Sequence, residues 1–162
     1  MCKIKLSISL LVSFFIFSCA NNQINHSNQK YSLAYIGGGY DGILLKNFLT
    51  GSLKNLSIHD KNSNFEIQAD ISHSTNLYIT NIDNTSDREK ITTELSINII
   101  DKSSNCIVYN NKFNVSQFYI YAPSDKFLSN QAAVKKIKID NTDESVKQFI
   151  TRLRKIENKC NE

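Results

Sequence analysis

The spacing of apolar and polar positions divides the chain into six main segments behind a greasy leader. Phe65, Ile67, Ala69 and Ile71 alternate with Glu66, Gln68 and Asp70, the two-residue period of a half-buried strand. After a break at His73-Ser74, Leu77, Tyr78 and Ile79 read as its extension. From Lys90 the same period returns more strongly, with Ile91, Thr93, Leu95, Ile97 and Ile99 on one face and Thr92, Glu94, Ser96 and Asn98 on the other. Asp101-Lys102-Ser103-Ser104-Asn105 is a turn, and Cys106 to Tyr121 is the strand that returns from it as an antiparallel hairpin. Pro123, which cannot donate to a ladder, ends that strand. Tyr31 to Ile36 alternates loosely and reads as a first strand, closed by Gly37-Gly38-Gly39.

Two stretches repeat at helical spacing instead. Leu45, Leu49, Leu53 and Leu56, with Phe48 and Ser52 beside them, predict an amphipathic helix over about Gly42 to Leu56, with Asp41 as its N-cap. Val146, Phe149, Ile150, Leu153 and Ile156 predict a last helix. Asn141 and Glu144 read as the cap that opens it, and Arg152, Arg154, Lys155 and Lys159 gather toward its negative end. Lys126 to Ile139 is mixed. Gln131-Ala132-Ala133-Val134 favours helix while Val134, Ile137 and Ile139 permit an extended chain, so a short separate helix is expected there. The order strand, helix, three strands, helix predicts an α+β fold. Its form is a two-layer sandwich, with two main helices packed on a largely antiparallel sheet of about four strands.

Ahead of this domain, Lys3 and Lys5 precede an apolar run from Leu6 to Phe17, the layout of a secretory signal. About a dozen apolar residues fall short of the roughly 20 that cross a hydrocarbon core. Ile16-Phe17-Ser18-Cys19 resembles the bacterial lipobox. That resemblance implies cleavage before Cys19, a diacylglyceryl group on its thiol, and an acyl chain such as palmitate on its amine. Ala20 stands where an Asp would mark retention in the inner membrane, so the expected location is the periplasmic side of the outer membrane, held by lipid. Residues 1–18 are thus read as a signal peptide, 19–30 as a lipidated polar tether, and 31–162 as a single α+β domain.

Composition narrows the chemistry. The formal charge of +4 becomes 17 basic against 15 acidic residues once Lys3 and Lys5 leave with the signal, too even for a general nucleic-acid binder. With Cys2 discarded and Cys19 lipidated, Cys106 and Cys160 remain, either as a disulfide in an oxidising periplasm or as two unpaired thiols. Neither lies in a Cys-x-x-Cys pair, and His26, His59 and His73 fall in no metal-binding spacing, so no metal site is expected. His59-Asp60 has no nucleophile motif beside it, so no catalytic residues are assigned and the chain is not expected to be an enzyme. The three glycines lack the Lys-Ser/Thr ending of a phosphate loop and read as a flexible strand-to-helix turn; no cofactor is expected.

Three stretches resemble the lipopolysaccharide-assembly lipoprotein family, LptE. Leu44-Leu45-Lys46-Asn47-Phe48-Leu49 is similar to the start of that family's first helix. Thr85-Ser86-Asp87-Arg88 with Thr93-Glu94-Leu95-Ser96-Ile97 is similar to its basic loop and third strand, and Phe118-Tyr119-Ile120-Tyr121-Ala122-Pro123-Ser124 to the aromatic end of its fourth. The chain departs from the family pattern at Ile137-Lys138-Ile139-Asp140-Asn141, where a continuous helix belongs.

The resemblance implies a plug and assembly subunit of an LptD-like outer-membrane barrel that binds lipopolysaccharide and helps deliver it to the cell surface. It gives Arg88 the role of a lipopolysaccharide phosphate ligand, because a guanidinium meets phosphate oxygens in pairs. Lys90 and Lys126 are candidates by charge and loop placement. The plainer alternative for Arg88 is a solvated loop charge paired with Glu89 or Asp87. For the whole chain, the alternative is an auxiliary lipoprotein of a lipid-trafficking ABC transporter.

Overall fold

The computed structural model describes residues 29–79, 87–120 and 127–156. They form β1 (Tyr31–Ile36), α1 (Gly39–Asn55), β2 (Phe65–Ile79), β3 (Asp87–Asp101), β4 (Cys106–Ile120) and α2 (Phe127–Leu153). The strands make one sheet in the order β1-β2-β3-β4, with β1 parallel to β2 and the other pairs antiparallel. Leu45, Leu49 and Leu53 of α1 and Val146, Phe149 and Leu153 of α2 share one core with Ile67, Ile71, Leu95, Ile97, Ile99 and Phe113 of the sheet. Both helices therefore cover the same face, and the chain is a two-layer α+β sandwich. The leader, Cys19, the tether up to residue 28, Lys126 and Cys160 lie outside the described residues. Cys106 is disulfide-bonded.

The turn from β1 into α1 is set by glycine. Gly38 has φ of 100° and caps the helix without a side-chain bond, so the expected cap, Asp41, sits instead in the first turn. A Cβ on Gly42 would lie 2.4 Å from the Gly37 carbonyl oxygen, so this close approach of helix to turn needs glycine as well. At the other end of α1, Ser57 takes φ of 58°, and the Ser57 and Ile58 N–H groups donate to the Lys54 and Leu53 carbonyls. That is the paired bonding by which a left-handed residue closes a helix. The chain then passes along β1, where the Tyr31 N–H donates to Ile58 O at 2.8 Å and the Asp60 N–H to Tyr31 O at 2.9 Å. Tyr31 is buried, which pushes its phenol up to about 12. The loose alternation of β1 has a cause: its register against β2 shifts between Leu33 and Ile36.

Two further sequence expectations need correction. β2 does not break at His73-Ser74 but pairs continuously with β3 to Ile79. On the buried face His73 Nδ1 meets Thr93 Oγ1 at 2.8 Å, so a polar pair replaces an apolar one and the hydrophobic period lapses while the ladder goes on. In the same way, α2 is a single 27-residue helix through the expected interruption at 137–141. Asn141 is not a cap but a fully buried residue in mid-helix, its Nδ2 donating to Ile91 O at 3.3 Å and Val115 O at 3.5 Å. Thr142 and Ser145, also buried, donate back to the Lys138 and Asn141 carbonyls at 2.7 and 2.8 Å. These bonds let polar residues occupy the core side of a helix. The interruption expected at 137–141 is thus absent.

The hairpin turn is as expected. The Ser103 N–H and Oγ both donate to Asp101 Oδ1, at 2.9 and 2.6 Å, and Asn105 takes φ of 51°. The bonds from Ser103 hold the Asp101 carboxyl below its ordinary range.

Candidate functional site

The face of the sheet turned away from the helices is the candidate site. Along most of its length it is a ladder of polar cross-strand pairs. Lys112 meets Glu94 at 2.7 Å, Asn110 Nδ2 donates to Asn98 Oδ1 at 2.6 Å, and Thr92 and Ser116 hydroxyls meet at 3.0 Å. Toward the free end of β2–β4 its chemistry changes. Arg88 pairs with Ile120 across the β3–β4 ladder and Lys90 with Phe118, so these four side chains share the uncovered face. Phe118 and Ile120 are 57% and 67% exposed, and Lys90 Nζ stands 5.8 Å from the Phe118 ring centroid. Two cations beside two exposed apolar side chains can hold an anionic amphiphile: the cations its phosphate, the apolar pair its hydrocarbon.

The structure places two of the residues named from sequence together, but on a strand rather than in a loop. Arg88 is the second residue of β3, opposite Tyr78 on one side and Ile120 on the other. Glu89 points to the opposite face, where it accepts a hydrogen bond from the Tyr119 hydroxyl, so it is not the partner of Arg88. Sequence reading missed Phe118 and Ile120 as site residues. The signal was there: Phe118-Tyr119-Ile120 is apolar at three successive positions, which gives both faces of the strand end an apolar character.

On the helix side of the same sheet end, a cleft of about 410 Å³ opens between the start of α1 and the first half of α2, lined by Tyr40, Asp41, Glu89, Tyr119, Val134 and Lys138 among others. Beside it His73, with a side chain 4% exposed, has Nε2 3.6 Å from Asp41 Oδ2, too far for a hydrogen bond, and this nitrogen has no hydrogen-bond partner among the described residues. Burial lowers the His73 pKa; Asp41 pulls it up and Lys138 pushes it down. Its lining carries two carboxylates, Asp41 and Glu89, and two ammonium groups, Lys135 and Lys138, a balance of charge unlike that of the open end, where Arg88 and Lys90 stand together. Among the described residues no group of three or more His, Cys, Asp or Glu could hold a metal ion, and no helix is long and apolar enough to cross a membrane.

The four-strand, two-helix sandwich is similar in fold to several solved bacterial lipoproteins. A minor lipoprotein of Acinetobacter baumannii superposes with a TM-score of 0.59 at 16% identity, over 79% of this chain and 92% of that one. Lipoprotein B of Nitrosomonas europaea gives 0.57 at 9% identity, over 78% and 82%. The rare lipoprotein B of Shewanella oneidensis gives 0.55 at 11% identity, over 77% and 96%. At these identities the likeness is one of fold. No protein-family model and no curated protein matches the sequence.

Proposed function

We propose that the protein is a lipid-anchored outer-membrane subunit that docks in an LptD-like barrel and binds lipopolysaccharide on the open end of its sheet. The observation that carries this reading is the juxtaposition of Arg88 and Lys90 with exposed Phe118 and Ile120 on one uncovered face. Lipopolysaccharide is an amphiphile whose phosphates are normally bridged by divalent cations. A protein that withdraws single molecules from an aggregate must replace those cations with its own donors. The polar ladder behind the site suits contact with the polar interior of a barrel. A fold shared with rare lipoprotein B and its like, and the lipobox at Cys19, support the same setting. In this reading the protein works by binding rather than by catalysis.

The test is lipopolysaccharide affinity of the purified protein. Replacing both Arg88→Asp and Lys90→Asp, on a strand whose fold circular dichroism can verify, lowers affinity at least about tenfold, the loss of one to two charge-assisted hydrogen bonds. Unchanged affinity would remove these residues from the site.

A further inference from the structure

At the opposite corner of the molecule, a groove of about 450 Å³ lies between α1 and the edge strand β1, lined by Leu33, Lys46, Thr50, Lys54, His59 and Lys61. Lys46, Thr50 and Lys54 recur every four residues and so form one ridge of α1. Of the four lysines of α2, two are paired within the helix, Lys136 with Asp140 at 2.9 Å and Lys147 with Asp143 at 2.6 Å. Neither lysine of α1 has such a partner, since Asp41 is the only carboxylate in that helix. Among the described residues Lys46, Lys54 and Lys61 make no ion pair, and the neighbouring Asp60 is held by Lys30 at 3.9 Å and by the Asn62 N–H at 2.9 Å. Three uncompensated ammonium groups around one groove repel one another unless an anion is supplied from outside.

The position of the groove points to the source of that anion. Leu33 in its lining follows Lys30 by three residues, at the point where the chain enters from the tether. About ten residues separate this point from Cys19, a reach of at most roughly 35 Å. We propose that this groove is the surface on which the domain rests against anionic phospholipid headgroups of the membrane that holds its anchor. In that pose the lysine stems run past Leu33, the one apolar residue of the lining, while their heads reach phosphates. With this corner at the headgroups, the Arg88–Lys90 end lies at the far end of the sheet. The inference rests on the anchoring reading of Cys19.

The lipidated full chain, extracted from membranes, is reconstituted into vesicles of phosphatidylcholine alone or with about 30% phosphatidylglycerol and treated with an amine-reactive label. Peptide mass spectrometry then reads labelling at each lysine and acylation at Cys19 in one digest. Lys46, Lys54 and Lys61 become protected about fivefold each in the anionic vesicles only, Lys136 and Lys147 label equally in both, and 1 M salt abolishes the difference. Equal labelling of the groove in both vesicles overturns the proposal, as does equivalent protection by millimolar inorganic phosphate with neutral vesicles, which would make the ligand a free anion. An unmodified Cys19 overturns the anchoring reading alone. In that event sedimentation with the same vesicles reads the groove directly, and the variant carrying Lys46→Glu, Lys54→Glu and Lys61→Glu fails to sediment if the proposal holds.

Discussion

Asn141 and His73 show how single polar residues decide this core. Asn141 is fully buried with Nδ2 spread over two long contacts and Oδ1 paired with nothing, so its amide is only half satisfied. Asn141→Ala leaves a cavity and is expected to destabilise by about 1–3 kcal/mol, whereas Asn141→Leu, similar in volume and without the unpaired oxygen, costs less. Equal losses in urea unfolding would show that the amide matters more than the space it fills. His73 binds a proton less readily in the folded chain than its ordinary value of 6.5, chiefly because it is buried. Its stabilising share is therefore complete above that value and is lost as pH falls through it, because the unfolded chain takes up the proton first. The urea midpoint should fall from about pH 7.5 to about pH 5.5, and fall less in His73→Gln. A midpoint that rises on acidification would mean that attraction to Asp41 outweighs burial. Neither residue was legible as core in the sequence, because a hydrophobic period registers only apolar side chains, and the partners of these two are carbonyls and a hydroxyl some 20 to 50 residues away.

Elements were legible where propensity, period and burial agreed. β3 alternates cleanly because every second residue from Ile91 to Ile99 is buried against the helices, and α1 shows its leucine stripe for the same reason. The central span of α2 was obscured because its inner side carries Asn141, Thr142 and Ser145, whose bonds to carbonyls appear only once the helix is docked. That docking depends on Phe149, fully buried with ring centroids 6.3 Å from Tyr109 and 6.2 Å from Phe113. Phe149→Ala should cost about 3–5 kcal/mol in chemical unfolding, and a cost under about 1 kcal/mol would mean that α2 is not seated as described. Within α1 the glycines separate by environment. At Gly51 a Cβ meets nothing within 4 Å, so Gly51→Ala should stabilise by about 0.5–1 kcal/mol through helix propensity. At Gly42 the Cβ meets backbone at 2.4 Å, so Gly42→Ala should destabilise instead. The same sign for both changes in melting temperature would contradict the turn geometry.

For the whole molecule, placing both helices on one side leaves a sheet face that no part of the described chain covers. The two-layer architecture followed from the order of elements and their single apolar faces. The make-up of the candidate end of the open face did not, because pattern and turn fix which face Arg88, Lys90, Phe118 and Ile120 share, while the irregularity between Ile99 and Ile100 shifts which of them stand opposite one another. A polar ladder along this face, the Arg88–Phe118 end of the same face and a cationic groove beside the tether are the three regions to which the proposals above assign a barrel, lipopolysaccharide and phospholipid headgroups. The central claim is that the open face meets a barrel in the outer membrane. A photo-crosslinking residue at Ser96, in the middle of that face, followed by purification from detergent-solubilised membranes, tests this most directly. The account predicts one covalent adduct with an outer-membrane β-barrel of the LptD type; capture of an inner-membrane transporter subunit, or recovery of the protein uncrosslinked, would contradict it.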